Sequence, residues 1–183
     1  MLDIGYWIAA LLSAIWIMLP AYVPNSAAVV LGGGTPIDGG RIHGDGRRLL
    51  GDGKTYRGLV LGILAGVLAG CMQLLVQMGD FPDVLPRQTL LTVVTLASGA
   101  LLGDLVKSYF KRRRGMEKGE EWPVADQYDL VAGALLLTLV AAPSWVLAYV
   151  TLPVLFWILV LTPLLHRAAN LVGYSLGLKD VPW

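Results

Sequence analysis

The stretch that decides the fold runs from Leu130 to Leu165 and reads LVAGALLLTLVAAPSWVLAYVTLPVLFWILVLTPLL, without a charged residue. As one helix it would be roughly 54 Å long, at about 1.5 Å per residue. The hydrocarbon core of a bilayer is only about 30 Å thick, so the stretch predicts two membrane-crossing helices. Pro143-Ser144 is the natural break between them, which gives a fourth span over about 124–142 and a fifth over about 145–165.

The composition of the whole chain also favours a membrane protein. Of its 183 residues, 56% are hydrophobic and 15% are charged, and the mean hydropathy is +0.65. A soluble domain would leave far more apolar surface than it can bury. Further apolar runs at about 4–22, 58–78 and 89–106 predict spans one to three. We therefore expect an all-α integral membrane protein with about five transmembrane helices in one domain, residues 1–183. Its single cysteine, Cys71, excludes a disulfide framework and a cysteine-based zinc site.

Proline and glycine mark the first two spans. Pro20 and Pro24 predict that the first helix kinks or ends near Tyr22, because proline removes a backbone donor. This first span is longer than the core of a signal peptide and is expected to be a retained helix. In the second span every fourth residue is glycine, at Gly58, Gly62, Gly66 and Gly70. Such a stripe predicts the close approach of another helix and not a chemical role.

Positive charge is concentrated in two loops, at about 31–57 and 107–123. The first loop contains Arg41, Arg47, Arg48, Lys54 and Arg57. The second contains Lys107, Lys111, Arg112, Arg113, Arg114 and Lys118. Short cytoplasmic loops carry the excess of Lys and Arg in membrane proteins, so both loops are expected on the cytoplasmic side of a cell membrane. This orientation of a multi-pass protein puts the N-terminus outside and the C-terminus in the cytoplasm.

Acidic residues stand at the membrane-level ends of the third and fourth spans. Four polar residues of the third span share one helical stripe: Asp104, Lys107, Ser108 and Lys111. An aspartate so near the hydrocarbon needs a partner, a metal or a water-filled cavity. Asp126 and Asp129 share a face just after Pro123, where a helix N-terminus stabilises carboxylates. The alternatives are helix capping for these two acids and membrane anchoring for the block 111–114.

Taken together, these helix ends predict a metal and polyphosphate site. Asp104, Asp126 and Asp129 lie at the same depth, and Lys and Arg residues surround them. Carboxylates are suitable ligands for Mg²⁺, and cations neutralise phosphate oxygens. We therefore expect the three acids to hold Mg²⁺ and the neighbouring cations to hold the phosphates.

The first loop is rich in glycine and poor in residues that could form a core. Glycines let backbone N–H groups approach phosphate oxygens, and Lys54 and Arg57 can neutralise them just before a helix N-terminus. A Walker site is excluded, because Arg48 stands where that motif requires glycine and no strand precedes it. Phosphate binding by another geometry is expected, with a flexible basic loop as the alternative.

Several of these segments also form motifs of a known family. GDLVKSYFKRR at 103–113, followed by PVADQYD at 123–129, resembles the C-terminal signature of CTP-dependent phosphatidate cytidylyltransferases. The chain is more similar still to the archaeal branch, the CDP-archaeol synthases. That similarity includes PN at 24–25, PIDGGR at 36–41 and GDGKTYRG at 51–58. The chain is shorter than the bacterial and eukaryotic enzymes and lacks their Pro-Gly-His-Gly-Gly segment, which favours the archaeal lipid substrate.

The resemblance implies a membrane cytidylyltransferase of polar lipid biosynthesis. It would condense CTP with 2,3-bis-O-geranylgeranylglycerol 1-phosphate, with Mg²⁺ as cofactor, to give CDP-archaeol and pyrophosphate. The partners implied are CTP, the isoprenoid glycerol phosphate and the bilayer; no nucleic-acid partner is expected. The residues implied to be catalytic are Asp104, Asp126, Asp129 and Lys111. Those implied to bind the nucleotide or cofactor are Asn25, Asp38, Lys54, Thr55, Arg57, Lys107, Ser108 and Arg112.

Two other functions compete with this interpretation. An anion transporter or channel would also place acids within the membrane, but the charges here gather at one depth and do not trace a path across. A CDP-alcohol phosphotransferase would carry Asp-Gly with a downstream Ala-Arg and two further aspartates in one continuous motif. Here Asp45-Gly46 is followed by Arg47, and the other acids lie on separate helices.

Overall fold

The computed structural model describes residues 3–117, 119–178 and 181, so Lys118 of the second basic loop lies outside the described residues. Within these residues six helices follow one another: α1 Ile4–Leu31, α2 Tyr56–Val76, α3 Leu90–Arg113, α4 Pro123–Ala141, α5 Pro143–Tyr149 and α6 Leu152–Ser175. Five of them, all but α5, are long and apolar enough to cross a membrane. The predicted all-α architecture with about five spans is confirmed.

Helix α1 is longer than the sequence predicted. It continues through Pro20 and Pro24 to Leu31, so the expected end near Tyr22 was wrong. Proline at position 20 leaves the carbonyl of Trp16 without its helical donor. The side-chain amide of Gln73 in α2 donates to that carbonyl at 2.7 Å. A neighbouring helix therefore replaces the missing backbone bond, which is how membrane helices tolerate proline.

The glycine stripe of α2 is a packing surface, as predicted. Gly58, Gly62, Gly66 and Gly70 are buried against α1 and α3. A Cβ atom at Gly66 would lie 2.6 Å from the carbonyl oxygen of Pro20 and 2.9 Å from the Cβ of Ala97. No side chain fits in that gap, so the stripe draws α2 tightly onto its two neighbours.

A second glycine contact, which the sequence analysis did not single out, joins α3 to α4. Gly99 and Gly103 of α3 face Gly133 of α4, and an added Cβ at any of them would overlap backbone atoms of the other helix. At Gly103 the overlapping atom is the carbonyl oxygen of Asp129. Because the two backbones nearly touch here, the acidic start of α4 is held against the last turns of α3.

The fifth crossing begins later and is more broken than predicted. The break before Pro143 is present, but α5 ends at Tyr149 and the crossing helix α6 spans Leu152–Ser175 instead of about 145–165. Pro153 explains the second break, since its ring clashes with the carbonyl four residues earlier in a continuous helix. Within α6, Pro163 frees the carbonyl of Leu159, which accepts a hydrogen bond from the Tyr128 hydroxyl of α4 at 3.0 Å.

The two charged loops lie at the same end of the bundle. Helix α3 extends to Arg113 and not to about 106, so the loops are shorter than expected and cover 32–55 and 114–122. We call this end, with the adjoining turns of the helices, the loop end. The opposite end, formed by 77–89 and 142–151, is the far end. Between them, α3 packs against α1, α2 and α4, and much of the outer surface exposes large hydrophobic side chains, as lipid contact requires.

Candidate functional site

The centre of the loop end is the ammonium group of Lys107, almost two turns before the end of α3. Its Nζ lies 3.1 Å from Asp104 Oδ1, 3.2 Å from Asp126 Oδ1 and 2.7 Å from Asp129 Oδ2. Asp104 comes from the same helix, whereas Asp126 and Asp129 come from α4. The glycine contact between α3 and α4 thus brings the three predicted acids around one point. We call Asp104, Asp126, Asp129 and Lys107 the acid cluster.

Two further lysines hold the outer carboxylate oxygens of the acid cluster. Lys54, in the first loop, places its Nζ 2.6 Å from Asp104 Oδ2. Lys111, one turn beyond Lys107, lies 3.1 Å from Asp126 Oδ2 and donates to the backbone carbonyl of Glu120. Lys54 therefore links the first loop to α3, and Lys111 links α3 to both α4 and the second loop.

Asp126 has a second contact that fits the capping alternative. Its Oδ2 accepts a hydrogen bond of 2.7 Å from the backbone N–H of Trp122, the residue before the first turn of α4. Asp129 instead accepts from its neighbouring amide, that of Leu130, at 2.6 Å, and its side chain is almost fully buried. Capping therefore applies to Asp126, whereas Asp129 points into the cluster and caps no free helix end.

The first loop is organised around the carboxylate of Asp38. Arg48 donates to it from Nη2 at 2.6 Å and from Nε at 3.1 Å, and the backbone N–H groups of Gly40, Leu50 and Gly51 complete the set. The Arg48 guanidinium, aided by these amides, holds the pKa of the Asp38 carboxyl well below its usual range. The same contact raises the pKa of Arg48. The loop is therefore an ordered structure and not a flexible basic tether.

Arg113, in the last turn of α3, fastens this loop to the helix bundle. Its guanidinium donates to Asp45 Oδ2 at 2.6 Å and to the carbonyl of Arg48 at 2.6 Å, and it stacks over Tyr109 at 5.5 Å. The backbone N–H of Arg47 is the largest cause of the lowered pKa of Asp45, and Arg113 adds to it. Arg113 thus holds the middle of the loop against α3, and Lys54 holds its C-terminal end there.

Some predicted binding residues have local structural contacts instead of facing the acid cluster. Thr55 caps α2, its Oγ1 accepting from the N–H of Gly58 at 3.1 Å. Ser108 donates to the carbonyl of Asp104 at 2.8 Å. Asp38, as described, shapes the loop. Direct contacts of these three with a nucleotide stay predictions.

The other predicted residues are more available for a ligand. Arg57 is exposed in the first turn of α2. Asn25 of α1 has a side-chain oxygen that is enclosed and accepts no hydrogen bond from the described residues. Arg112 likewise has an enclosed Nε without an acceptor among them. A buried polar atom left without a partner costs free energy, so Asn25 and Arg112 retain the capacity to bind.

The sequence analysis missed the residues that hold the first loop in place. Arg48, Asp45 and Arg113 counted there only as loop charges or as part of a motif. A signal existed for Asp45 and Arg47, since Asp-Gly-Arg marks a turn. The pairing of Asp38 with Arg48, by contrast, links positions of an irregular segment, and neither helical nor strand periodicity applies to it.

The donor set of the acid cluster fits a hard divalent cation. Three carboxylates each place one oxygen within 3.2 Å of the Lys107 nitrogen, and carboxylate oxygens are the ligands that Mg²⁺ prefers in proteins. As the described residues stand, no group of three Asp, Glu, His or Cys side chains is arranged to hold a metal ion. The ammonium of Lys107 lies among the carboxylates instead. The chemistry therefore suits Mg²⁺, provided that Lys107 moves.

Comparisons with known proteins agree on one family. A family model described as CarS-like, CDP-archaeol synthase, matches residues 7–183. A CDP-archaeol synthase of Methanosphaerula palustris is 65% identical over 91% of this chain and its own full length. Those of Methanoregula boonei and Methanosarcina acetivorans, with the same coverage, are 60% and 49% identical.

A solved structure is similar as well. It is described as an intramembrane enzyme for archaeal membrane lipids biosynthesis and is 40% identical in sequence, with a TM-score of 0.73. The match covers 88% of this chain and 94% of that one. Together with the five apolar helices, it establishes a multi-pass membrane protein. The family resemblance read from the motifs is confirmed, and the chain belongs to the CDP-archaeol synthase family.

Proposed function

We propose that this chain is a CTP-dependent cytidylyltransferase that converts 2,3-bis-O-geranylgeranylglycerol 1-phosphate and CTP into CDP-archaeol and pyrophosphate. The lipid phosphate oxygen attacks the α-phosphorus of CTP, a new P–O bond forms, and the bond to the β-phosphate breaks. The observation that carries the proposal is the acid cluster. It places three carboxylates from two helices beside three lysines at one end of the bundle, in a chain of this family.

The chain has little acid or base catalysis to perform, because the attacking phosphate is already an anion. Its task is to hold two anions in line and to neutralise the charge that develops on the leaving pyrophosphate. Lys54 and Arg57, at the entrance to α2, are suited to the phosphates of CTP. Asp104, Asp126 and Asp129 would hold Mg²⁺, which when bound supplies Lewis-acid stabilisation of phosphoryl oxygens.

The loop end is proposed to face the cytoplasm. Both loops lie at that end, and together with the adjoining helix turns they carry most of the Lys and Arg residues, which is typical of the cytoplasmic side. CTP would then reach the loops from water while the lipid phosphate arrives from the bilayer. Single cysteines placed at Arg47 and Arg113, in a chain whose Cys71 has been replaced, should both react only from the cytoplasmic side. Labelling from opposite sides would contradict a single site.

The decisive experiment is a direct assay of the reaction. Purified protein is incubated with α-labelled CTP, Mg²⁺ and the geranylgeranyl glycerol phosphate, and both products are measured. A labelled CDP-lipid and an equal amount of pyrophosphate are expected, with Asp80→Asn, an exposed acid at the far end, as active control. Transport of an anion into vesicles without CDP-lipid would favour the transporter alternative. Label transfer only from a supplied CDP-lipid to an alcohol would favour the phosphotransferase.

A further inference from the structure

The ammonium of Lys107 lies at the centre of the acid cluster, between the three aspartates. Its ammonium contacts all three aspartates at 3.2 Å or less, and its side chain is only 13% exposed. A cation that the three carboxylates hold in common would occupy the same space. Lys107 and a metal ion therefore cannot both lie at the centre, since like charges repel strongly at short range in a buried site.

The other two lysines are not equivalent to Lys107. Lys54 contacts Asp104 from the outer side, and Lys111 contacts Asp126 and the carbonyl of Glu120. Each can remain in place when the centre changes its occupant. Among the described residues, Lys107 is the one cation that lies between all three acids, and its long flexible stem allows the ammonium to move without the backbone.

A displaced Lys107 needs a new anion. A buried ammonium that loses its carboxylates without gaining a partner carries a large desolvation cost. Water does not offer a full replacement, because the Lys107 side chain is largely buried. The phosphates of the nucleotide are the anions that this reaction brings to the same end of the bundle. The exchange is therefore favourable only when the metal and the polyphosphate arrive together.

We propose that Lys107 holds the place of the divalent cation in the free protein and transfers its ammonium to a substrate phosphate when the cation enters. This inference rests on the proposed function, in which the three acids hold the metal. Its consequence is thermodynamic: the cation alone binds weakly, CTP strengthens cation binding, and the cation strengthens CTP binding by the same factor. In the free protein the charges also remain balanced, because Lys54 and Lys111 join Lys107 in facing the three aspartates.

The test measures metal binding and not turnover. Mn²⁺ is titrated into the detergent-solubilised full chain, and the signal of free Mn²⁺ is followed by electron paramagnetic resonance. Lys107→Met removes the competing ammonium and should bind Mn²⁺ alone about tenfold or more tightly than the unchanged protein, within the usual range of coupling factors. Arg41→Met removes one exposed positive charge at the same end and should leave the affinity nearly unchanged. Lys107→Arg, which keeps the charge, should still bind Mn²⁺ weakly.

A second measurement uses the unchanged protein and holds even if Lys107→Met does not fold. Its thermal unfolding temperature is recorded with Mn²⁺, with CTP, and with both, at equal free concentrations. The joint shift should exceed the sum of the separate shifts. Tight Mn²⁺ binding without CTP that Lys107→Met leaves unchanged would overturn the exchange while sparing the metal role of the acids. Absence of Mn²⁺ binding under all conditions would overturn both.

Discussion

The two ends of the helical bundle both bury polar side chains, but with different chemistry. At the far end, Gln88 is buried, its amide donates to the carbonyl of Ile17 at 3.3 Å, and its oxygen accepts from Thr92 at 2.7 Å. Gln77 bonds both backbone groups of Gln88, at 2.6 and 3.0 Å. Every member of this network is neutral. At the loop end the corresponding contacts are ion pairs around Lys107.

This difference indicates that the far end contributes to stability, whereas the charges of the loop end serve the proposed reaction. Neutral side-chain hydrogen bonds between membrane helices satisfy backbone groups and contribute modestly to stability. Buried ion pairs are expensive to desolvate and are often no more stabilising than apolar residues of the same size. Helix association in this chain therefore does not need the charges, since glycine contacts and neutral bonds supply it. The proposed function accounts for the charges at the loop end, because a metal and a polyphosphate would require them.

The largest effect is expected from neutralising one acid at the loop end. Asp129→Asn keeps the shape of the side chain but removes the charge that a hard cation needs. We expect CDP-lipid formation to fall by about 100-fold or more, since metal stabilisation is worth several kcal/mol, with little change in thermal stability. Asp104→Asn should behave in the same way. Partial recovery at high Mg²⁺ would identify a direct ligand.

Asp126 sharpens this test because it also caps α4. Asparagine caps a helix about as well as aspartate, so Asp126→Asn separates the two roles. Loss of activity with retained stability is expected for a metal ligand. Asp83→Asn at the far end, whose side chain is fully exposed, serves as the matched control. Near-normal turnover by all three cluster variants at ordinary Mg²⁺ would end the proposal that the loop end does the chemistry.

The next effect concerns the link between the first loop and the acid cluster. Lys54→Met removes the ammonium that lies 2.6 Å from Asp104 and is proposed to meet a CTP phosphate. We expect the KM for CTP to rise by about tenfold or more, as loss of a charge-assisted contact of 1.5–3 kcal/mol implies, and the KM for the lipid to change much less. Arg41→Met, exposed in the same loop, is the control. Equal changes in both constants would contradict the assignment to the nucleotide.

At the far end, removal of a polar side chain should lower stability and leave turnover unchanged, which is the opposite of the result expected at the loop end. Gln88→Leu removes the hydrogen bonds of the Gln88 amide to the carbonyl of Ile17 and to the Thr92 hydroxyl. At about 0.5–1.5 kcal/mol for each bond, the free energy of unfolding should fall by about 1–3 kcal/mol. Turnover per folded molecule should be unchanged. Met78→Leu, at an exposed position next to Gln77, is the control for a leucine introduced at the far end. A large loss of turnover in folded Gln88→Leu protein would break the division between the two ends.

The sequence predicted the features that depend on hydrophobic length and charge. Five spans follow from the apolar runs, and the stripe of glycines in α2 has the packing role expected of it. The meeting of the acids and Lys54 at one end was also predictable, because the positive-inside rule assigns both basic loops to the same side of the membrane. These properties are local or add up along the chain, so no knowledge of the tertiary structure was needed.

The missed features depend on contacts between distant segments. The length of α1 could not be inferred from Pro20, because the amide that replaces the lost bond belongs to Gln73 in another helix. The fold of the first loop depends on Arg113, which is remote in sequence. The second break before α6 is different, since Pro153 was visible. The length of the uncharged run requires only one break, which Pro143 already supplies, so length alone does not predict the second.

The smallest effect is expected from the contacts of Asp38 inside the first loop. Removing them tests how far the loop end depends on the ordered structure of that loop. Asp38 accepts from Arg48 and from three backbone N–H groups, and Arg48 with these amides holds its pKa below the usual range. A carboxyl whose pKa is lowered on folding stabilises the folded loop at pH values above its unfolded pKa. That contribution is lost as the pH falls through the lower, folded value.

Hydrogen exchange of the peptide covering residues 37–52 can measure this contribution. Protection of the Leu50 and Gly51 amides should persist from pH 7 to below about pH 4, where an ordinary aspartate is half protonated. Asp38→Asn should lower that protection at every pH and raise the KM for CTP only a few-fold, because Lys54 and Arg113 still hold the loop. Asp52→Asn, which removes an exposed partner of Arg48, should retain most of the protection. Loss of protection near pH 4 in the unchanged protein would show that Asp38 does not organise the loop, and the order of the loop end would then rest on Arg113 and the acid cluster alone.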